Sequence, residues 1–433
     1  MKNIILAILY ILIMIRISKT QEGWFVLFSE YNTTTKYTGI QFVNSQTGFM
    51  TSSWGNEHNN GGYTLKTTNG GHNWSYVDYG VARYGLFFLN AQTGWQYGGY
   101  WDDAGKKSRE VFRTTNGGES FVRTYIDSLI DSFHDIFFAD LNTGWISSFG
   151  NLMKTTNSGV NWSVCSPLVL NSIYFVNANT GWGLTFGGLI YKTTNGGTNW
   201  NIQLSVSGNA FTDEAFLNLN TGWVSSSAPN IYKTTNSGLN WTAYSPGITG
   251  VISSIEFADS LHGWACGDSG KIIYTSNGGI NWFRQATNVY FNLSKLSFAN
   301  QHTGYAIGIF FSTPYWNDNI MMKTTTGGLT FVQNTGNEIP LEFKLFQNYP
   351  NPFNPSTKIK FDVPLDSRLR GNDKVTLKVF DVLGREIAVL VNEMLKAGTY
   401  ETEWDGTKYP SGVYFYKLIT SDYTETRKMV LVK

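Results

Sequence analysis

The chain has 433 residues, more than one ordinary core accommodates, so two or more domains are expected. Only 15% of residues are charged while 16% are aromatic, a mix that suits many short strands joined by tight turns and excludes mainly helical or disordered classes. A formal net charge of +1 excludes the basic footprint of a nucleic-acid or anionic-lipid binder.

In chain order, residues 1–20 read as an export signal. Lys2 supplies a basic start, Ile4 to Ile15 is an uncharged apolar run, and Ser18 and Thr20 precede a plausible cut before Gln21. The run is short for a membrane span, which needs about 20 apolar residues; the competing reading is a single-pass anchor. Cleavage leaves 29 basic against 31 acidic residues, close to neutral. Two cysteines, Cys165 and Cys266, fall in separate repeats and read as buried fillers without a bridge.

Seven segments then match one another: Lys66–Trp74, Arg113–Phe121, Lys154–Trp162, Lys192–Trp200, Lys233–Trp241, Tyr274–Trp282 and Lys323–Phe331. Their common form is Lys-Thr-Thr-Asn-Gly-Gly-x-Asn-Trp. A Thr-Gly-aromatic element precedes each, ending at Phe49, Trp95, Trp145, Trp182, Trp223 and Tyr305, with His262-Gly263-Trp264 in the sixth copy. A Phe stands five residues ahead of every one of these turns, from Phe42 to Phe298. Each unit contains four short strands, and four strands in about 40 residues make a propeller blade, so a ring of seven is predicted over residues 21–334. In the third turn the glycine at Gly71 and its equivalents supplies a left-handed conformation, and the Asn two positions earlier bonds back to the turn amides. A strand around Trp24–Leu27 is a candidate for closing the ring against the seventh blade; the sequence leaves that closure open.

These turns resemble Asp-box (BNR) repeats with Asn in place of the usual Asp. With the Thr-Gly-Trp element they are similar to the seven-bladed propellers of the photosystem II stability/assembly factor type, over about Trp24 to Asn334. The resemblance implies fold, because Asp-box turns are structural wherever they occur.

Residues 335–342 read as a linker. Six of the ten prolines lie from Pro340 onward, and alternating strands such as Lys358–Phe361 and Thr376–Phe380 predict a small C-terminal β-sandwich over 343–433. The order Leu345–Pro355, Gly384-Arg385-Glu386, Ala397–Tyr400, Ser411–Tyr416 and the final Lys428–Lys433 resembles the type A sorting domain of the Por, or type IX, secretion system. That resemblance implies Sec export, passage across the outer membrane and a partner in the secretion machinery. The polar stretch Leu365–Lys374 departs from it as a loop insertion. A carbohydrate-binding or fibronectin-like sandwich is the plainer alternative.

Chemistry is sparse. The propeller's arginines, Arg83, Arg109, Arg113, Arg123 and Arg284, give no triad for a sialidase-like site, and the histidines lack metal-ligand spacing. Eight residues before each Thr-Gly or His-Gly turn lie Gly39, Gly85, Asp135, Ser172, Asp213, Ser254 and Lys295. Asp135 and Asp213, with Glu214 adjacent, are the one candidate carboxylate pair of a glycoside hydrolase; solvated polar residues at the strand starts are the simpler reading. A second candidate is a wall. Three blades that neighbour one another in a closed ring have long connections after the Thr-Gly aromatic, carrying Trp54, Tyr97, Tyr100, Trp101, Tyr315 and Trp316 beside Asp102, Asp103 and Asp318. Such aromatics suit a sugar or a protein partner, unless they only pack on one another.

The expected function is therefore a secreted or surface-exposed, non-catalytic binding protein, a monomer without cofactor or metal, taking a carbohydrate or protein ligand on the propeller face. A polysaccharide hydrolase using Asp135 and Asp213 is the alternative. Photosystem assembly ranks last, since a sorting tag directs the chain elsewhere.

Overall fold

The computed structural model describes residues 23–433 apart from 56–59, 102–106, 128–131, 229, 286, 288, 314–315, 329–332, 335–339, 365–372, 396 and 407–408. The expected signal and the closing Phe331 thus lie outside the described residues, as do most of the linker and of the Leu365–Lys374 insertion.

Blade 1 is an antiparallel sheet of Thr35–Phe42, Gly48–Gly55, Asn60–Thr67 and Ser75–Gly80, ordered from the ring axis outward. Five further four-stranded blades follow, with innermost strands Ala82–Phe88, Phe133–Phe138, Ser172–Phe175, Phe211–Phe216 and Ile252–Phe257. The burial of these strands alternates towards their ends, because one face meets the preceding blade and the other meets the next or the axis.

Each blade is joined to the next by the same aromatic sandwich. The Thr-Gly aromatic of one blade lies flat on the inner-strand Phe of the following one. Trp95 stacks on Phe138, Trp145 on Phe175 and Trp223 on Phe257, each with centroids 3.5 Å apart. Tyr305 does the same on Phe42, from blade 7 to blade 1. The box Trp meets the Phe of its own blade edge-on, as Trp162 meets Phe138 at 79°. The box Lys lies over the Thr-Gly aromatic, as Lys154 does 5.2 Å from Trp145. The edge-on contacts match the ring quadrupoles and add about 1 kcal/mol each beyond burial, whereas the stacks lie nearly face to face and hold through burial and dispersion.

The turns hold one another in register. Within the box, Thr67 Oγ1 accepts from the Gly71 amide at 2.9 Å and Asn69 Oδ1 from the Asn73 amide at 2.9 Å. Gly71 has φ +83°, a conformation that L side chains resist. The box then bonds the Thr-Gly turn of its own blade, Gly70 N to Gln46 O at 2.8 Å. Both turns therefore lie on one face of the ring, and the second-to-third strand hairpins lie on the other.

Blade 7 is built from both ends of the propeller chain. Asn292–Phe298, Gly304–Thr313 and Trp316–Thr324 are completed by Trp24–Thr33, which pairs antiparallel along Trp316–Thr324. Trp24 sits opposite Thr324 and meets Phe298 edge-on at 84°, the contact a box Trp makes elsewhere. The Gly23 amide donates to Thr326 Oγ1 at 3.2 Å, in place of the bond between box Asn side chain and amide. The N-terminal strand thus supplies the last aromatic of the seventh repeat, where the sequence points to Phe331.

The C-terminal domain is two facing four-stranded sheets around a core that includes Phe361, Leu377 and Trp404, all buried. One sheet orders Gln333–Asn334, Gly398–Asp405, Ser356–Val363 and Lys344–Leu345. The other orders Glu386–Leu395, Asp373–Phe380, Gly412–Ile419 and Thr424–Leu431. Gln333–Asn334, placed with the propeller from sequence, pairs here with Glu401 and Tyr400 of the sandwich.

Trp24→Ala should lower stability by roughly 3 kcal/mol, as for other buried aromatic truncations, and Trp24→Phe by less. Thermal unfolding checks this; a change no larger than that of a surface substitution would show that the ring does not depend on this side chain.

Candidate functional site

The seven positions counted back from the Thr-Gly turns converge on the ring axis. Gly39, Gly85, Asp135, Ser172, Asp213, Ser254 and Lys295 all line one central chamber of about 500 Å³. In six of the seven inner strands the pairing slips immediately before this residue, as between Phe133 and Asp135 or Phe211 and Asp213. Such a bulge re-aims the following side chain. It turns this position into the channel and keeps the inner-strand Phe, three residues later, in the blade contact.

The two candidate acids brace neighbouring blades. Asp135 Oδ2 accepts from the Ile173 amide at 2.9 Å and from Ser172 Oγ at 3.3 Å, while Oδ1 accepts from the Ile136 amide. Asp213 Oδ2 accepts from Ser254 Oγ at 2.7 Å and the Ile255 amide at 3.0 Å. Lys295 Nζ bonds Asp213 Oδ1 at 3.2 Å along the channel wall. Burial pushes the Asp135 carboxyl up to about 6, against the opposing pull of Lys295 and the Ile173 amide. The Asp213 charge holds the Lys295 ammonium above its usual range.

Two more acids stand close by. Glu256 takes the Phe298 amide at 2.9 Å, and burial pushes it up to about 8. Glu214 occupies a position held by Ile40, Leu86, Ile136, Ile173, Ile255 and Leu296 in the other blades. It is 8% exposed, its Oε2 has no partner, and burial drives it well above the carboxylate range. From sequence, Glu214 stands only as a neighbour of Asp213; the signal that marks it is the one acid in an otherwise aliphatic column.

Three of the six aromatics of the expected wall, Trp54, Tyr97 and Tyr100, have described side chains. The wall's long connections are chiefly longer hairpin strands: Gly304–Thr313 with Trp316–Thr324, against four or five residues per strand in the second and third strands of blades 3 and 4. Tyr97, expected on that exposed wall, is 6% exposed. Its ring crosses Gly85, where an added Cβ would lie 2.6 Å away, and its hydroxyl donates to His134 O at 2.6 Å. It thereby lines the chamber where blade 2 lacks a side chain of its own. Trp54 packs within its own blade, 5.1 Å from Tyr79 and 5.7 Å from Tyr63. Tyr100 is half-buried, and Asp318 pairs opposite Phe310. Tyr315, Asp102 and Asp103 lie outside the described residues, as do the side chains of Trp101 and Trp316.

Two aromatics on the short hairpins of the same face escape the sequence reading. Phe149 is 63% and Phe186 68% exposed, and Phe186 lines the chamber. Each precedes a glycine in a tight turn, where a large apolar residue has no core to serve; that pairing is the available signal. Cys165 and Cys266 are free, and burial raises both thiols, which makes them inert. No group of three potential metal ligands occurs among the described residues.

Fold and channel together define a seven-bladed β-propeller with a polar, acid-lined axis, followed by a β-sandwich. Residues 347–433 match the secretion system C-terminal sorting domain family, which implies export by the type IX route to the cell surface or beyond. Among solved structures, the chain is similar to YCF48 bound to a D1 peptide, with a TM-score of 0.53 and 17% identity, covering 71% of this chain and 99% of that one. It is also similar to YCF48 from Cyanidioschyzon merolae, with a TM-score of 0.53 and 16% identity over 70% and 98% of the two chains. These likenesses show the propeller fold. No curated protein matches the sequence significantly.

Glu214→Leu should stabilise the protein by about 1 kcal/mol or more, since it removes a buried carboxyl whose Oε2 has no partner. The raised acids also set a direction with pH. A carboxyl raised in the folded state binds its proton more tightly there than in the unfolded chain, so its stabilisation is complete below about 4.5 and falls as pH climbs towards about 8. Thermal stability should fall less steeply between pH 5 and 8 in Glu214→Leu and Glu256→Gln than in the wild type; parallel curves would contradict the assignment.

Proposed function

We propose that the protein is an exported, non-catalytic binding protein whose ligand enters the channel mouth on the hairpin face, and that residues 1–20 act as its export signal. The observation that carries this reading is the exposure of Phe149 and Phe186 on two rigid hairpin turns of one face, with Phe186 at the chamber edge. Exposed aromatics on a rigid scaffold supply binding area at small entropic cost. YCF48, described as bound to a D1 peptide, is a precedent for a ligand on a propeller of this shape.

The hydrolase alternative has one point in its favour, the raised Asp135 carboxyl beside the ionic Asp213–Lys295 pair. Against it, both acids commit oxygens to backbone amides of the next blade.

With the purified full chain on glycan and peptide panels, we expect binding without sugar release. Phe149→Ala and Phe186→Ala should weaken it several-fold, by roughly 1 kcal/mol each, while leaving the melting temperature nearly unchanged. Sugar release that disappears in Asp135→Asn would establish the hydrolase instead. In a host with a type IX system, deletion of residues 347–433 should abolish surface display; undiminished display would overturn the export route.

A further inference from the structure

The channel's charge and shape select a ligand chemistry, an inference that rests on the channel mouth being the recognition site. Asp135, Asp213 and Glu256 line the chamber together with Lys295, and Lys295 is already held by Asp213. Next to Ser172, itself in the lining, the buried Glu214 carboxyl keeps an oxygen without a partner. Two aromatic side chains share the lining, Tyr97 from blade 2 and the exposed Phe186 from blade 4.

We propose that the chamber binds an aliphatic ammonium group, delivered by a lysine side chain of a peptide or by a free polyamine. Three independent features converge on that chemistry. With Lys295 held by Asp213, the Asp135 carboxylate is left as an uncompensated negative charge in the lining, so a cation entering the chamber is attracted and an anion is repelled. Aromatic faces favour cations over neutral chains of the same length through the ring quadrupole. The acids are spread over blades 3, 5 and 6 and form no cluster of metal ligands among the described residues, so they suit an elongated organic cation and not a bare metal ion. The chamber's volume of about 500 Å³ accommodates such a chain with water.

Calorimetry on the full chain tests this with the N-acetyl-N′-methylamides of lysine, norleucine and glutamate, together with spermidine. The lysine probe or spermidine should bind, the difference between them identifying the source, and norleucine and glutamate should not. Phe186→Ala, whose side chain is exposed, should weaken cation binding roughly threefold without changing the melting temperature. Asp135→Asn, which keeps an acceptor for the Ile173 amide and removes a carboxylate ionised at neutral pH, should weaken it about tenfold. Equal binding of norleucine, preferential binding of glutamate, or cation binding indifferent to both substitutions would overturn the proposal. If neither cation binds while the panel ligands still depend on Phe149 and Phe186, the ammonium assignment fails and the binding function stands. If nothing binds, both fail.

Discussion

Everything in the propeller depends on the stack of an aromatic ring from one blade on a phenylalanine of the next. A blade has two broad faces and no core of its own, so it is stable only when both are covered. The repeated sandwich answers this with a Thr-Gly aromatic on the inner-strand Phe of the next blade, a box Trp at that Phe's edge and a lysine over the Thr-Gly aromatic. Trp264 and Phe298 use it with centroids at 3.9 Å, and Tyr305 and Phe42 at 3.5 Å. The same stack recurs at every blade interface, with centroids from 3.5 Å at Trp95 and Phe138 to 4.0 Å at Trp182 and Phe216.

That uniform frame leaves the channel free to vary. The bulge before each channel residue separates the two jobs of the inner strand: beyond it the phenylalanine serves packing, and at it the side chain serves the axis. Glycine, serine, aspartate and lysine all occupy that position without disturbing the stack. The acids that do so are tied into the frame by amides of the next blade, which makes the channel's charge a rigid property of the ring. The exposed aromatics stand on hairpin turns of the same face, where changes of residue leave the frame intact.

The repeat, the box turn and the channel positions were legible because each is encoded locally. Thr67, Asn69 and Gly71 satisfy one turn among themselves, and the channel residue lies a constant distance from its Thr-Gly turn. What was not legible depends on partners far along the chain. The strand around Trp24–Leu27 reads as a candidate closure against the seventh blade, but that Trp24 takes the repeat's last aromatic position follows only from its pairing with Thr324. Tyr97 reads as an exposed aromatic until Gly85, on the neighbouring strand, leaves it a place to lie. The long connection of blade 2 reads as a loop from its length alone, although Gly94–Trp101 and Lys107–Thr114 pair along most of it. The carboxylates of Asp135 and Asp213 look free until the amides of the following blades meet them.

The partnership of Gly23 and Trp24 with Thr326 and Thr324 has a temporal consequence. A chain delivered from its N-terminus presents the closing strand first and the groove that receives it last. Six blades can form in order as their residues arrive, but the first strand must wait, unpaired, through about three hundred residues before its neighbour exists. Closure of so long a loop adds little entropic cost beyond that of a shorter one, yet contacts of such separation form late. The ring therefore becomes whole in a single final event, and until then the leading segment is an exposed edge strand with a tryptophan at its tip.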